Sequence, residues 1–179
     1  MIMMLMNSLY CILGGAGVTL QQEIKDDYRV VSGWLLYCDE RRRSYERKRE
    51  EILHSSTSKL LAALPGEGIS DSTGKRGAKL GDLKNISDWL ALIEEVETSL
   101  SPKMRLFLRL RREAVYAKTN LRGRPGWVAY TQEHYAREMA KLNRKRPSDY
   151  WVEDRTLFTW WDKIVTYTAI KASKRGLLE

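Results

Sequence analysis

From Asp154 to Lys174 the chain reads DRTLFTWWDKIVTYTAIKASK. Apolar residues recur in this stretch at three- and four-residue spacing, which predicts a helix with one buried face made of Leu157, Phe158, Trp161, Ile164, Val165 and Thr168. The opposite face carries short hydrogen-bonding groups, a cation and two aromatic rings, namely Thr156, Thr159, Trp160, Lys163 and Tyr167. Such a face is compatible with a DNA groove, but it also fits the polar outside of a C-terminal helix packed on its neighbours. Taken alone, the pattern favours the second interpretation.

The segment that leads into this helix is strongly basic. Between Ser101 and Ser148 there are thirteen Lys or Arg residues and three acidic residues, whereas the whole chain has a net charge of +8. A basic block beside a groove-compatible helix predicts an acidic polymer as partner, because phosphates attract Lys and Arg and release their counterions. The alternatives are a solvated basic surface and a patch for anionic lipid.

Length and composition indicate the fold class. A chain of 179 residues can form one domain with a sizeable core, or a small domain plus an extended helix. Apolar residues make up 43% and charged residues 30% of the chain, with four prolines, which predicts a soluble, all-α protein. The only cysteines, Cys11 and Cys38, are too few for a disulfide framework and favour a reducing cytoplasm. The only histidines, His54 and His134, lack partners at ligand spacing, so no metal site is expected.

The N-terminal part divides into three predicted pieces. Residues 1–18 carry no charge and are interpreted as a leader of uncertain role, because a signal peptide needs a basic start and the apolar run is short for a membrane span. Residues 19–54 are predicted to form one long helix, continuous from Leu20 to Leu53. Residues 55–81 are rich in Gly and Ser and are predicted to be a linker. Gly74-Lys75 lacks the Ser or Thr that follows the lysine of a phosphate-binding loop, since Arg76 occupies that position.

Residues 82–179 are predicted to form a helical domain. One helix is expected from Asp82 to Leu100, and a second is expected to start with Ser101 as its cap and Pro102 at its first position. A third follows the basic turn Arg122–Gly126, and the turn Asn143–Asp149 separates it from the final helix. This order is typical of a helix-turn-helix, in which the second helix lies in the major groove.

Three blocks of the sequence carry a resemblance to a known family. They are Arg49 to His54 (REEILH), Ser70 to Leu80 (SDSTGKRGAKL) and Asp154 to Val165 (DRTLFTWWDKIV). In this order they resemble the phage transcriptional activators of the RinA and ArpU type. The resemblance implies a helix-turn-helix similar to region four of sigma factors, which binds double-stranded promoter DNA of phage late or packaging genes and contacts RNA polymerase in the bacterial cytoplasm.

Carried over by position, the resemblance places Arg155, Thr156, Thr159 and Lys163 at or near DNA. Phe158, Trp161 and Ile164 would then hold the recognition helix in place. We expect Arg155, Thr156 and Thr159 to read base edges, and the cations of the basic block to bind phosphates, among them Arg124, Arg144, Lys145 and Arg146. Residues Arg144 to Trp151 lengthen the turn before the recognition helix. Asp154 and Asp162 are unfavourable beside phosphates unless they cap the helix or pair with a cation.

The expected function is therefore a regulator without a catalytic step, a cofactor or a membrane anchor. The alternative is a DNA-packaging adaptor similar to a small terminase subunit, in which the N-terminal helix drives oligomerisation and DNA is held with weak sequence preference. A ring of many subunits favours packaging, whereas a monomer or homodimer favours regulation. An integrase or nuclease would need clustered catalytic acids with a nucleophile or metal ligands, which the sequence does not contain.

Overall fold

The computed structural model describes residues 16–54, 77–81, 83–117 and 126–178. Within these ranges the chain is all-helical and contains no strand, which confirms the predicted fold class. The helices are α1 (Ala16–Leu36), α2 (Cys38–His54), α3 (Lys84–Ser99), α4 (Pro102–Tyr116), α5 (Gly126–Asn143) and α6 (Asp154–Lys174), with a 3-10 helix at Pro147–Tyr150 before α6.

The predicted long N-terminal helix is divided in two at Tyr37. In a continuous helix the carbonyl of Leu35 would accept the amide of the residue four positions later. Here the guanidinium of Arg112, on α4, donates to that carbonyl with Nε 2.6 Å from the oxygen. A side chain that enters the ladder of backbone hydrogen bonds is a common cause of a helix bend. The prediction of one continuous helix from Leu20 to Leu53 is therefore not confirmed.

The first helix begins at Ala16, inside the predicted leader, and residues 1–15 lie outside the described residues. Most of the predicted linker, residues 55–76, also lies outside them, whereas residues 77–81 are helical.

The turn between α3 and α4 contains the helix start that the sequence predicts. Pro102 is the first residue of α4, and the Ser101 hydroxyl accepts the amide of Met104 at 3.4 Å. The guanidinium of Arg105 donates to three carbonyls at the end of α3, at distances between 3.1 and 3.2 Å. The cap therefore satisfies one amide of α4, and one arginine satisfies three carbonyls at the end of α3, which fixes the turn between the two helices.

Helix α6 packs chiefly against α1 and α3, with additional contacts to α5. Its buried residues are Leu157, Trp161, Ile164, Val165, Thr168 and Ala172. They join a core to which α1, α3, α4 and α5 contribute Val31, Leu35, Leu92, Ile93, Val96, Phe107, Leu108 and Val128. Each fully buried aliphatic or aromatic side chain contributes about 1.5–3 kcal/mol to stability, so this core fixes the orientation of α6.

Two aromatic side chains of α6 differ from the prediction. Phe158, predicted to be buried, is 42% exposed and packs against the ring of Trp127, with centroids 5.2 Å apart. Trp160, predicted to face outward, is half-buried and packs against Phe107 and Tyr135, with both centroid distances 5.6 Å. The indole of Trp160 thus packs against α4 and α5, whereas the phenyl ring of Phe158 stays at the surface.

Candidate nucleic-acid interface

Helix α5 ends with the 6→1 backbone hydrogen bond typical of a Schellman motif and has an arginine at the left-handed position. The amide of Lys145 donates to the carbonyl of Ala140 at 3.1 Å, and Arg144 between them has φ 53°. Glycine is the usual residue there, because a Cβ atom is unfavourable in this conformation. Helix α6 ends in the same motif with Gly176 at φ 65°, and the amide of Leu177 donates to a carbonyl of the last helical turn at 3.0 Å. The turn after α5 therefore places a long cationic side chain where glycine would be more stable.

The connection between α5 and α6 spans residues 144–153 and includes the 3-10 helix. It is longer than the three or four residues of a typical helix-turn-helix, as the sequence predicts. The buried Gln132 of α5 anchors its far end: Nε2 donates to the carbonyl of Val152 at 2.9 Å and to Oδ1 of Asp154 at 2.5 Å. The helical rise places Arg144 about 18 Å farther along α5 than Gln132. The start of α6 therefore lies beside the middle part of α5, whereas Arg144 follows the C-terminal end of α5.

Three consecutive cations occupy the start of this connection. Arg144, Lys145 and Arg146 are exposed, and their side chains form no ion pair or hydrogen bond with any described residue. We refer to these three residues as the basic turn. Their charges are available to an external anion.

Several other cations of the predicted basic block have partners inside the protein. Arg112 pairs with Glu97 at 2.5 Å, and Lys141 pairs with Glu138 at 3.3 Å. Arg137 pairs with an acid one turn away at 2.5 Å, and Arg109 lies 3.8 to 3.9 Å from two carboxylates. Fewer cations of the basic block are therefore available to bind a ligand than its composition suggests.

Arg111 has a structural position between aromatic rings. Its guanidinium carbon lies 4.4 Å from the ring centroid of Trp127 and 5.2 Å from that of Trp161. Burial lowers the pKa of Arg111 to about 10. Arg124, predicted to bind phosphate, lies outside the described residues.

The N-terminal half of α6 presents a polar, cationic face. Arg155, Thr159 and Lys163 are exposed, and Thr156 is half-buried. The side chains of Arg155 and Lys163 form no ion pair or hydrogen bond within the described part of the chain. The hydroxyl of Thr159 donates to the carbonyl of Arg155 at 2.8 Å, so its proton is engaged by the helix itself. We call this surface the α6 face; from Arg155 to Lys163 it extends about 12 Å, the width of a major groove.

The two acidic residues of α6 have partners on neighbouring helices. Asp154 accepts the side-chain amide of Gln132, and Asp162 accepts the hydroxyl of Tyr28 at 2.6 Å. Burial, reinforced by the hydrogen bond to Asp162, raises the pKa of Tyr28, which keeps the phenol protonated as a donor. These contacts draw both carboxylates toward α5 and α1, which reduces their conflict with an anion on the α6 face.

Two features of this surface carry no signal in the sequence. The left-handed conformation of Arg144 cannot be inferred, because a basic residue after a helix is common and glycine is the usual marker of the motif. The exposure of Phe158 depends on how the core divides the aromatic side chains of α6, which periodicity alone does not decide.

Comparison of the chain with known protein families, with curated proteins and with solved structures finds no match. Among the described residues, no group of three or more His, Cys, Asp or Glu side chains is arranged to hold a metal ion. No helix in the same ranges is both long and apolar enough to cross a membrane.

Proposed function

We propose that this protein is a sequence-specific regulator that binds double-stranded DNA and activates late or packaging genes of a phage or prophage. In this proposal the basic turn binds backbone phosphates and the α6 face enters the major groove. The resemblance to the RinA and ArpU activators supplies the biological role, including contact with RNA polymerase.

The distribution of unpaired cations is the observation that carries the proposal. Lys141 is neutralised within α5, yet Arg144, Lys145 and Arg146 immediately after it are exposed and unpaired among the described residues. Arg155 is in the same state at the start of α6. When acidic residues neutralise some cations and leave a contiguous set of cations unpaired, the unpaired cations form a defined surface for an anionic ligand. Double-stranded DNA, with one phosphate charge per about 1.7 Å of axis, matches such a spaced set.

The conformation of Arg144 gives independent support. An L residue in the left-handed region costs about 1–2 kcal/mol relative to its normal conformation. Residues held in unfavourable backbone conformations concentrate at functional sites, where the strain is compensated elsewhere. Retaining arginine at a position suited to glycine is consistent with a use for its charge.

The orientation of α6 favours base contact by its N-terminal half. Recognition helices place their N-terminal residues against base edges while the preceding helix crosses the backbone. Here the free guanidinium of Arg155 lies in the first turn of α6, and an arginine can donate two hydrogen bonds to the O6 and N7 atoms of guanine. A good bidentate contact of this kind discriminates against other bases by about 1–3 kcal/mol.

Selection of bound duplexes from a random pool tests the proposal. The selection is carried out at about 0.1 M salt, where the Debye length is about 10 Å. We expect a consensus of one or two half-sites that contains a guanine. A pool that remains random after several rounds would contradict sequence-specific regulation. Sedimentation of the same preparation tests the oligomeric state: a monomer or homodimer agrees with a regulator, whereas a closed ring of many subunits would instead favour a packaging adaptor.

A further inference from the structure

Phe158 follows Arg155 by three residues on α6, so its exposed ring and the free guanidinium lie on the same side of the helix. Phe158 is 42% exposed, although its neighbour Leu157 is fully buried. Residues three and four apart are neighbours on a helix surface, so Phe158 and Thr159 both flank Arg155. The α6 face therefore begins with one unpaired cation between two side chains that carry apolar groups.

Thr159 contributes a methyl group rather than a hydroxyl donor to this surface. Its Oγ1 donates to the carbonyl of Arg155 at 2.8 Å, which places the hydroxyl on the helix backbone. This back-bonding is a common arrangement for threonine inside a helix. The hydroxyl proton of Thr159 is therefore engaged by the helix, whereas the methyl group of this exposed residue is available for an apolar contact.

The combination of a free guanidinium with a phenyl ring and a methyl group matches one pattern of base edges. In the major groove, guanine offers two acceptors to arginine, and the 5-methyl group of thymine is an apolar target for Phe and for the methyl of Thr. The unpaired charges of Arg155, Lys163 and the basic turn favour this polyanion over a neutral apolar protein partner. We infer that the start of α6 reads a guanine with adjacent thymines, and that Phe158 and Thr159 each recognise one thymine through its 5-methyl group. This inference rests on the proposed function and specifies the DNA that the site prefers.

Uracil substitution tests the inference, because deoxyuridine differs from thymidine only by the missing methyl group. Each thymine of the duplex recovered by selection is replaced in turn by uracil. Dissociation constants are measured by fluorescence anisotropy at about 0.1 M salt, where surface charges are partly screened. We expect about fourfold weaker binding at one or two positions next to the contacted guanine, the effect of removing one buried methyl group. Substitutions elsewhere in the duplex should leave binding unchanged.

Two variants identify the side chains. Thr159→Ser removes only the methyl group and keeps the hydroxyl bonded to the helix, so it should abolish the thymine preference at one position without disturbing the fold. Phe158→Ala should abolish it at the neighbouring position, with helix content followed by circular dichroism. Ile170→Ala is the matched control, because Ile170 is 52% exposed on the same helix, about 18 Å from Phe158.

The outcomes separate the inference from the function on which it rests. Equal binding of thymine and uracil at every position, by a wild-type protein that still prefers its selected duplex, would overturn the inference and leave the regulator proposal intact. A thymine preference that persists in both variants would also overturn it. Failure to prefer any duplex would remove the proposed function, and the inference with it.

Discussion

Replacing Arg144 by glycine should stabilise the protein and weaken its binding to DNA. Arg144 has φ 53° at the end of α5, where an L residue is strained by about 1–2 kcal/mol. Glycine removes that strain but gains conformational entropy in the unfolded chain, which offsets about 0.4–1 kcal/mol. The net change is a gain of about 0.5–1 kcal/mol in the free energy of unfolding, or about 1–4 °C in Tm.

The loss in DNA binding follows from the same substitution. One phosphate contact contributes about 0.9 to the slope of log affinity against log salt, which corresponds to roughly five- to tenfold in affinity near 0.1 M salt. Urea unfolding gives the stability, and fluorescence anisotropy over a salt series gives the affinity and its slope.

Two further variants serve as controls for Arg144→Gly. Arg144→Ala removes the same charge but keeps a Cβ atom, so it should weaken DNA binding equally without stabilising the fold. Gly176→Arg is the reverse exchange in the motif that ends α6, where an added Cβ would meet no atom within 4 Å, so only backbone strain should lower stability. A less stable Arg144→Gly protein would refute the strain argument. An unchanged salt slope would refute the phosphate contact.

Three other predictions follow from the pairing of charges. Lys145→Ala should weaken selected and random duplexes by the same factor and reduce the salt slope by about 0.9, as measured by anisotropy; a loss confined to the selected duplex would contradict a phosphate contact. Arg112→Met should lower the free energy of unfolding by about 2–3 kcal/mol, because it leaves a carbonyl of α1 and a carboxylate of α3 without their donor. Arg109→Met is its control and should cost less than about 1 kcal/mol in urea unfolding, since that side chain is 58% exposed; equal losses would argue against a structural role for the Arg112 contacts. Hydrogen bonding to Lys171 lowers the pKa of Glu95 below its usual value, so its contribution to stability should be present above the usual pKa and be lost as the pH falls through the lowered pKa. The Tm difference between wild type and Glu95→Gln should therefore shrink in acid, and a difference that is constant from pH 7 to pH 2, well below the usual carboxyl pKa of about 4.3, would contradict the pairing.

The helices with local signals could be predicted from the sequence. The apolar spacing of α3 and the Ser101-Pro102 start of α4 depend on residues within a few positions of each other, and the structure contains both features. Most of the buried face of α6 was predicted for the same reason. Local propensity and local packing agree in these segments, so no distant partner is needed to decide the conformation.

The features that escaped prediction depend on distant contacts. The break at Tyr37 accompanies a hydrogen bond from Arg112 to a carbonyl of α1, and no pattern near Tyr37 encodes that partner. The exchange of Phe158 and Trp160 depends on the space that α4 and α5 leave beside α6. Whether a cation is free or paired likewise depends on acids on other helices, as for Arg112 and Glu97. Composition could therefore predict a basic region, whereas the pairing of cations with acids in the folded protein decides which cations are available to a ligand.

The role of α6 in reading base edges is tested most directly by the ratio of affinities for the selected duplex and a scrambled duplex. This ratio should be measured for the wild type, for Arg155→Ala and for Lys174→Ala. Lys174 is the control, an exposed cation about 28 Å farther along the same helix. We predict that Arg155→Ala reduces the ratio by about five- to 150-fold, the equivalent of about 1–3 kcal/mol, while Lys174→Ala leaves it unchanged. Equal weakening of both duplexes by Arg155→Ala, with the ratio preserved, would contradict base reading by α6.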